Sequence, residues 1–263
     1  NGEAFESAVE IARHAPDLGV GIHLNLTQGI PVSPAHTIRT LVDKRGRLYL
    51  SPGRLWREVG TRQVSLDDIH TELRAQIAKV RRAGISPTHL DGHKHVHVLP
   101  GISQVVIRLA GDFGIRSVRC PVEEIPTLST LLQSQPGVPA SLIKQSLVAR
   151  GVSYFARRFG TKLTRAGIFS TAHFYGICQT GFLNTRGIQD VLQHLPDGAS
   201  ELMCHPGYFD TDLERTGTRL LGQREVEIQA LTADPVGKLV MARNIQLSNY
   251  RDVGSTQWIG AAA

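Results

Sequence analysis

Four histidines crowd into nine residues of this chain. They are His89, His93, His95 and His97, in the run Pro87-Thr-His-Leu-Asp-Gly-His-Lys-His-Val-His-Val-Leu-Pro100, with Asp91 among them. The chain holds 11 histidines in 263 residues, so composition alone would put fewer than one in such a window. Imidazole and carboxylate are the usual donors for a borderline divalent cation such as Zn2+. Metal binding is the first chemistry this cluster points to. His93, His95 and His97 alternate at period two, so an extended segment would set all three on one face. One ion does not easily take three donors so placed. The expectation is one ligand from the run, with the others orienting neighbours or facing solvent, and with Gly92 freeing the backbone to turn before His93.

Two more histidines stand at the ends of strand-like segments. His23 lies in Leu18-Gly-Val-Gly-Ile-His-Leu-Asn-Leu26, and His205 closes Ser200-Glu-Leu-Met-Cys-His-Pro206. Chemistry in parallel α/β folds gathers at the carboxyl ends of strands, so His23, His93 and His205 would share one rim. Bland readings stand beside this one. His23 also reads as a core-edge histidine bonded to a backbone carbonyl, and His205 as a structural loop terminus. His173 reads as structural or substrate-facing, and His14, His36, His70 and His194 as surface.

The elements that would carry these residues alternate between helix and strand. Helical spacing covers Glu3 to His14. Ser65-Leu-Asp-Asp68 is a capping pattern that opens a helix to Ala83, and Gly84 stops it. Further helices are predicted over Pro100–Phe113, Ala140–Phe159, Thr185–Leu195 and Gln223–Ala233. Strands are predicted at Ile85–Asp91, Ile115–Cys120, Phe169–Tyr175 and Ser200–Pro206, with a last short one at Ile245–Asn249. The stretch from Gln28 to about Gly53 reads as loop. Such alternation predicts a parallel sheet, open or closed, in one domain over 1–263. About six strands are fewer than a closed (β/α) barrel needs.

The bulk numbers exclude several classes. Net charge is +6, from 29 basic and 23 acidic residues. The basic residues are dispersed, and no aromatics interleave with them, which argues against nucleic-acid binding. No apolar run is long enough to span a bilayer, and the first residues, Asn1-Gly-Glu-Ala-Phe-Glu-Ser, lack the basic, apolar and small-residue regions of a signal peptide. Cys120, Cys178 and Cys204 are far apart and odd in number, which points to a reducing, cytoplasmic compartment. No dinucleotide fingerprint, phosphate loop or Gly-x-Ser-x-Gly elbow is present.

Three motifs, in order, resemble the YdjC family of carbohydrate deacetylases, which includes chitooligosaccharide and hopanoid-associated deacetylases. They are Gly21-Ile-His-Leu-Asn-Leu-Thr27, Pro87-Thr-His-Leu-Asp-Gly-His-Lys-His-Val-His97 and Glu201-Leu-Met-Cys-His-Pro-Gly207. The resemblance runs from Asn1 to about Val253. It implies a NodB-like distorted (β/α) barrel and metal-dependent removal of an N-acetyl group from an amino sugar. It implies His23 and His93 as ligands of one divalent ion, Mg2+ or Zn2+, and His205 as the acid for the leaving amine. Asp91 and Asn25, with His95 and His97, would support the ligands or the substrate.

The chain departs from the family at one place. Members normally begin with a strand carrying Asp-Asp-Phe-Gly, which supplies a third ligand and the general base. The sequence from Asn1 onward does not contain that unit, and Asp112-Phe113-Gly114 is a superficial echo at a later helix end. The expectation is a truncated active enzyme with an incomplete barrel. Its open sheet edge predicts marginal stability, or pairing through that edge into a homodimer. A non-catalytic sugar-binding relic, and another metal hydrolase such as a phosphoesterase, are the alternatives.

Overall fold

The Ser65 capping pattern forms as the spacing predicts. In a computed structural model of the chain, which describes residues 1–123 and 140–253, helix α3 spans Leu66–Arg82 and the Ser65 hydroxyl accepts from the Asp67 amide. Its buried stripe is Ile69, Leu73 and Ile77, and it packs against both β1 (Gly21–Leu24) and α4 (Ile102–Asp112). Removing one such side chain, as in Leu73→Ala, would cost about 2–5 kcal/mol. Gly84 ends the helix at φ +83°, in the left-handed conformation that glycine adopts without strain.

The chain divides into two compact units. The first comprises Asn1–Cys120, Phe155–Ser170 and the segment from Asn249. The second comprises the described residues of Pro121–Tyr154 and Thr171–Ser248.

In the first unit, α1 (Phe5–His14) leads into β1, and α2 (Pro52–Gly60) and α3 precede β2 (His89–Gly92). β1 and β2 pair in parallel, with Gly21 opposite His89, His23 opposite Asp91 and Leu24 opposite Gly92. The predicted strand at 115–120 is reduced to single parallel bridges, Val118 to Leu90 and Ser117 to Phe169. Its backbone bonds both neighbours, through the Arg119 amide to Leu90 and the Val118 amide to Phe169, each at 2.9 Å. Pairing is interrupted after Cys120, because Pro121 has no N–H to give, and resumes as a single bridge at Glu123. The predicted strand at 245–249 does not form. Arg251 instead donates to the carbonyls of Pro16 and Leu18, at 2.7 and 2.8 Å, and so ties down the turn that feeds β1.

Helix α5 (Ala140–Arg165) runs beyond the predicted end at Phe159, because Phe159 and Leu163 both bury against the first unit's core. The loop predicted from Gln28 ends at about Gly53, where α2 starts, with Ser51 as its N-cap and Pro52 in its first turn.

In the second unit, β3 (His173–Tyr175) pairs in parallel with β4 (Ser200–Leu202), and Glu123 bridges Phe174. Helices α6 (Thr185–Gln193), α7 (Thr211–Arg215), α8 (Gln223–Leu231) and α9 (Asp234–Ala242) complete it. Leu183, Ile188, Leu192, Ala230 and Val236 form its helical core. The fold is thus mixed α/β with parallel pairing. Among the described residues the named strands form two two-stranded sheets and no closed barrel. Nor is any described helix long and apolar enough to cross a membrane.

Candidate functional site

His23 and Asp91 meet because of strand register. They are opposite one another on β1 and β2, and the His23 Nδ1 lies 2.8 Å from the Asp91 Oδ2. A carboxylate only accepts, so Nδ1 carries the hydrogen and Nε2 keeps a lone pair. That Nε2 lies 3.4 Å from the Nδ1 of His93, with the two rings edge to face.

Asp91 takes a second donor on the same oxygen, the Arg119 guanidinium at 2.5 Å. Asp91 is buried, and Arg119 nearly so. Burial by itself would raise the carboxyl's pKa. The bond from His23 and the positive charge of Arg119 outweigh it and hold the group well below the usual carboxylate range. Asp91 is therefore a fixed anion and a weak base. Its chemistry suits orienting His23, as carboxylates commonly do for metal-bound imidazoles.

His97 supports Arg119 in turn. Its Nε2 donates to the Arg119 carbonyl at 3.0 Å, and the residue is 1% exposed. Burial lowers the pKa of His97 to about 4 and that of His89 likewise to about 4, and drives His95 well below its ordinary value. His89 stacks on Tyr250 at 4.0 Å between ring centroids. His97 is buried, and His89 and His95 are half-buried.

The run His93–Val98 is not extended, as a same-face arrangement would need. It folds into 3-10 turns in which Lys94 and His95 have φ of 52° and 57°. Left-handed conformations in residues with a Cβ cost roughly 1–2 kcal/mol each. The turn therefore falls after His93, and Gly92 itself is extended at φ −148°. Gly92 is needed for space instead: a Cβ there would sit 2.8 Å from the His97 Nδ1.

Asn25 serves its own loop. Its side-chain oxygen accepts from the amides of Thr27 and Gln28, and its nitrogen donates to the Gln28 carbonyl at 2.6 Å. Gln76 on α3 grips the Asn25 peptide at both ends, accepting from its amide at 2.9 Å and donating to its carbonyl at 2.7 Å. Buried Glu72, one turn earlier, accepts from the Val32 and Ser33 amides, each at 2.8 Å. These two side chains fix the loop that leaves β1.

His205 belongs to the second unit. It is half-buried just past β4, and α8 holds its backbone: Glu227 accepts from its amide, and Arg224 donates to its carbonyl at 3.3 Å. Burial raises the pKa of Glu227. Buried Glu123 similarly accepts from Gly176 at 2.8 Å and Cys178 at 3.0 Å, in the loop after β3. Glu124, its partner in the sequence, lies outside the described residues. His14, His36 and His194 are exposed, whereas His70 and His173 are half-buried.

Sequence reasoning missed Arg119, Glu72, Gln76, Arg224 and Glu227. Arg119 ends a predicted strand, where the strand-end rule could have found it. Glu72 and Gln76 sit three and seven residues after Ile69, on the apolar stripe of α3. Polar residues at core spacing were the signal there.

A divalent ion can be tested against this geometry. Two imidazole nitrogens across a tetrahedral zinc, each about 2.0–2.1 Å from it, stand about 3.3–3.4 Å apart. The His23–His93 spacing fits two such positions. Among the described residues, no group of three or more His, Cys, Asp and Glu is arranged to hold an ion. The pair is two donors at a spacing that such an ion could use.

Parallel strands of an α/β fold, ending in paired imidazoles of which one is braced by a buried carboxylate, define a class of protein with a histidine-centred site at strand ends. The chain belongs to the YdjC-like protein family, whose pattern matches residues 1–242. It is 32% identical over 254 residues to a carbohydrate deacetylase of Brevibacillus brevis, covering 97% of this chain and 86% of that one. A mouse carbohydrate deacetylase is 33% identical over 218 residues, 79% of this chain and 67% of the relative. A chitooligosaccharide deacetylase of Proteus mirabilis is 30% identical, over 96% of this chain and 85% of its own length. The fold is shared with a crystal structure from Enterococcus faecalis V583, of a protein named for cellobiose-phosphate cleavage. The TM-score is 0.70 at 22% identity, covering 95% of this chain and 84% of that one.

Proposed function

We propose that this chain hydrolyses the N-acetyl group of an amino sugar, a chitooligosaccharide or another N-acetylglucosaminyl conjugate, with the help of one divalent ion. The observation that carries this reading is the His23–His93 pair at 3.4 Å, with Asp91 on the far nitrogen of His23. His23 Nε2 and His93 Nδ1 would hold the ion, Mg2+ or Zn2+. When bound, the ion supplies positive charge that polarises the acetamide carbonyl and acidifies a water molecule. Asp91 keeps the Nε2 lone pair of His23 directed outward, and Arg119 keeps Asp91 ionised. Hydrolysis places the hydroxyl of water on the acetyl carbon and a proton on the departing nitrogen. His205, as imidazolium, would give that proton. The family match runs through both units, which supports reading 1–263 as one deacetylase domain with its strands arranged as in a NodB-like barrel. The three free cysteines accord with a cytoplasmic setting. β1 has one strand neighbour among the described residues, and its other edge supports self-pairing into a homodimer.

Acetate release from N-acetylglucosamine oligomers, measured with added Mg2+ or Zn2+ and after chelation, tests the reading. Release that depends on the ion supports it. Sugar binding with no release under any ion selects the non-catalytic relic instead, and release of phosphate from a phosphate ester selects the phosphoesterase.

A further inference from the structure

The segment after β4 carries His205, yet that segment has no regular structure of its own. From His205 to Phe209 its backbone bonds to α8. The His205 amide donates to Glu227, and the His205 carbonyl accepts from the Arg224 guanidinium at 3.3 Å. Pro206 has no amide to place. The Gly207 amide donates to the Arg224 carbonyl at 3.4 Å. Phe209 continues the pattern, donating to Glu225 at 3.0 Å. Arg224 is itself fixed by its Nε bond to the Leu220 carbonyl at 3.0 Å, and Glu227 is 2% exposed.

A carboxylate is seldom buried without a task, because removing it from water costs several kcal/mol. Spending that burial on one backbone amide makes sense where the amide must be held in one place. The same device recurs at the loops after β1 and β3, where buried Glu72 and Glu123 each take two backbone amides. Buried carboxylates, Glu72 and Glu227 from helices and Glu123 from a bridge segment, thus anchor three strand-end loops of this chain.

We propose that Glu227 and Arg224, one turn apart on α8, are positioning residues that set His205 for proton delivery to the leaving amine. This rests on the reading of His205 as the acid. The pair grips both backbone hydrogen-bonding groups of His205, so the imidazole is aimed by a rigid helix and not by a free loop. A misplacement of about 1 Å in a catalytic group can cost about a hundredfold in rate.

The experiment is a mutant cycle on the full chain, reading kcat and KM for acetate release from a chitooligosaccharide. His205→Ala and Glu227→Ala should each lower kcat by tenfold or more, with KM within about twofold. The double variant should be no slower than His205→Ala alone, because Glu227 acts through that residue. A general structural role would instead add its own loss. Glu227→Gln, which still offers an oxygen to the His205 amide, should recover most of the rate. Full activity in Glu227→Ala, with His205→Ala inactive, overturns the positioning role and leaves the acid in place. Full activity in His205→Ala overturns both. Where Glu227→Ala does not fold, Arg224→Met reads the same coupling, and losses that add to those of His205→Ala overturn the inference.

Discussion

The imidazole of His23 and the carboxylate of Asp91 lie directly opposite each other in a parallel strand pair and are joined at 2.8 Å. That contact fixes which nitrogen of His23 is available, and places it 3.4 Å from His93. It also makes Asp91 a hub, since the same oxygen takes Arg119 at 2.5 Å, and the carbonyl of Arg119 takes His97. Five residues from two strands, a turn and a bridge segment are thereby set by one another.

His93→Ala should weaken Zn2+ binding at least tenfold, and His23→Ala should do the same, because each removes one of two paired donors. Calorimetric titration of the folded variants measures this. Unchanged affinity in either variant would reject that residue as a ligand.

Asp91→Asn should act on both binding and stability. It withdraws the charge that orients His23, an effect typically worth about 10–100-fold in metal affinity. It also leaves the Arg119 charge nearly buried without its anion, and breaking such a pair costs about 3–5 kcal/mol. Arg119→Met should destabilise somewhat less, because the buried Asp91 carboxylate that it strips of its cation keeps the bond from His23 at 2.8 Å. Urea denaturation ranks the two, and the reverse order would contradict the hub.

Stability should fall as pH is lowered from 6.5 to 4. His89 and His97 have folded pKa values lowered from 6.5 to about 4 by burial. In that window the unfolded chain binds protons that the folded chain does not, so stability rises with pH and is fully present above 6.5. Below about pH 4, protonation of the folded state ends the histidine contribution. The melting temperature of chelator-treated protein across pH 4–7 measures the effect. A flat profile would mean that these rings are not buried as neutral groups.

Gly92→Ala should destabilise by about 1–3 kcal/mol through overpacking. The backbone at Gly92 suits any residue, at φ −148°. The cost is therefore steric, from a Cβ only 2.8 Å from the Nδ1 of His97. Pairing it with His97→Ala should recover much of the loss in thermal melts, and a failure to recover would place the strain elsewhere.

The residue types and local periods of the sequence determined a good deal. The spacing of Ile69, Leu73 and Ile77 with Ser65 gave helix α3 nearly to the residue, and the three histidine motifs marked the family. Those signals are local, because helix and strand periods and caps are written within a few residues. The tertiary structure decided the rest. Register alone brought His23 to Asp91, 68 positions away in the chain, since a one-residue slip would turn every side chain to the other face. Two left-handed residues, Lys94 and His95, broke the period-two reading of the histidine run. Arg119 meets Asp91, and Glu227 the His205 amide, because buried charges must find partners, and those partners are chosen by packing between distant segments, which no local pattern records.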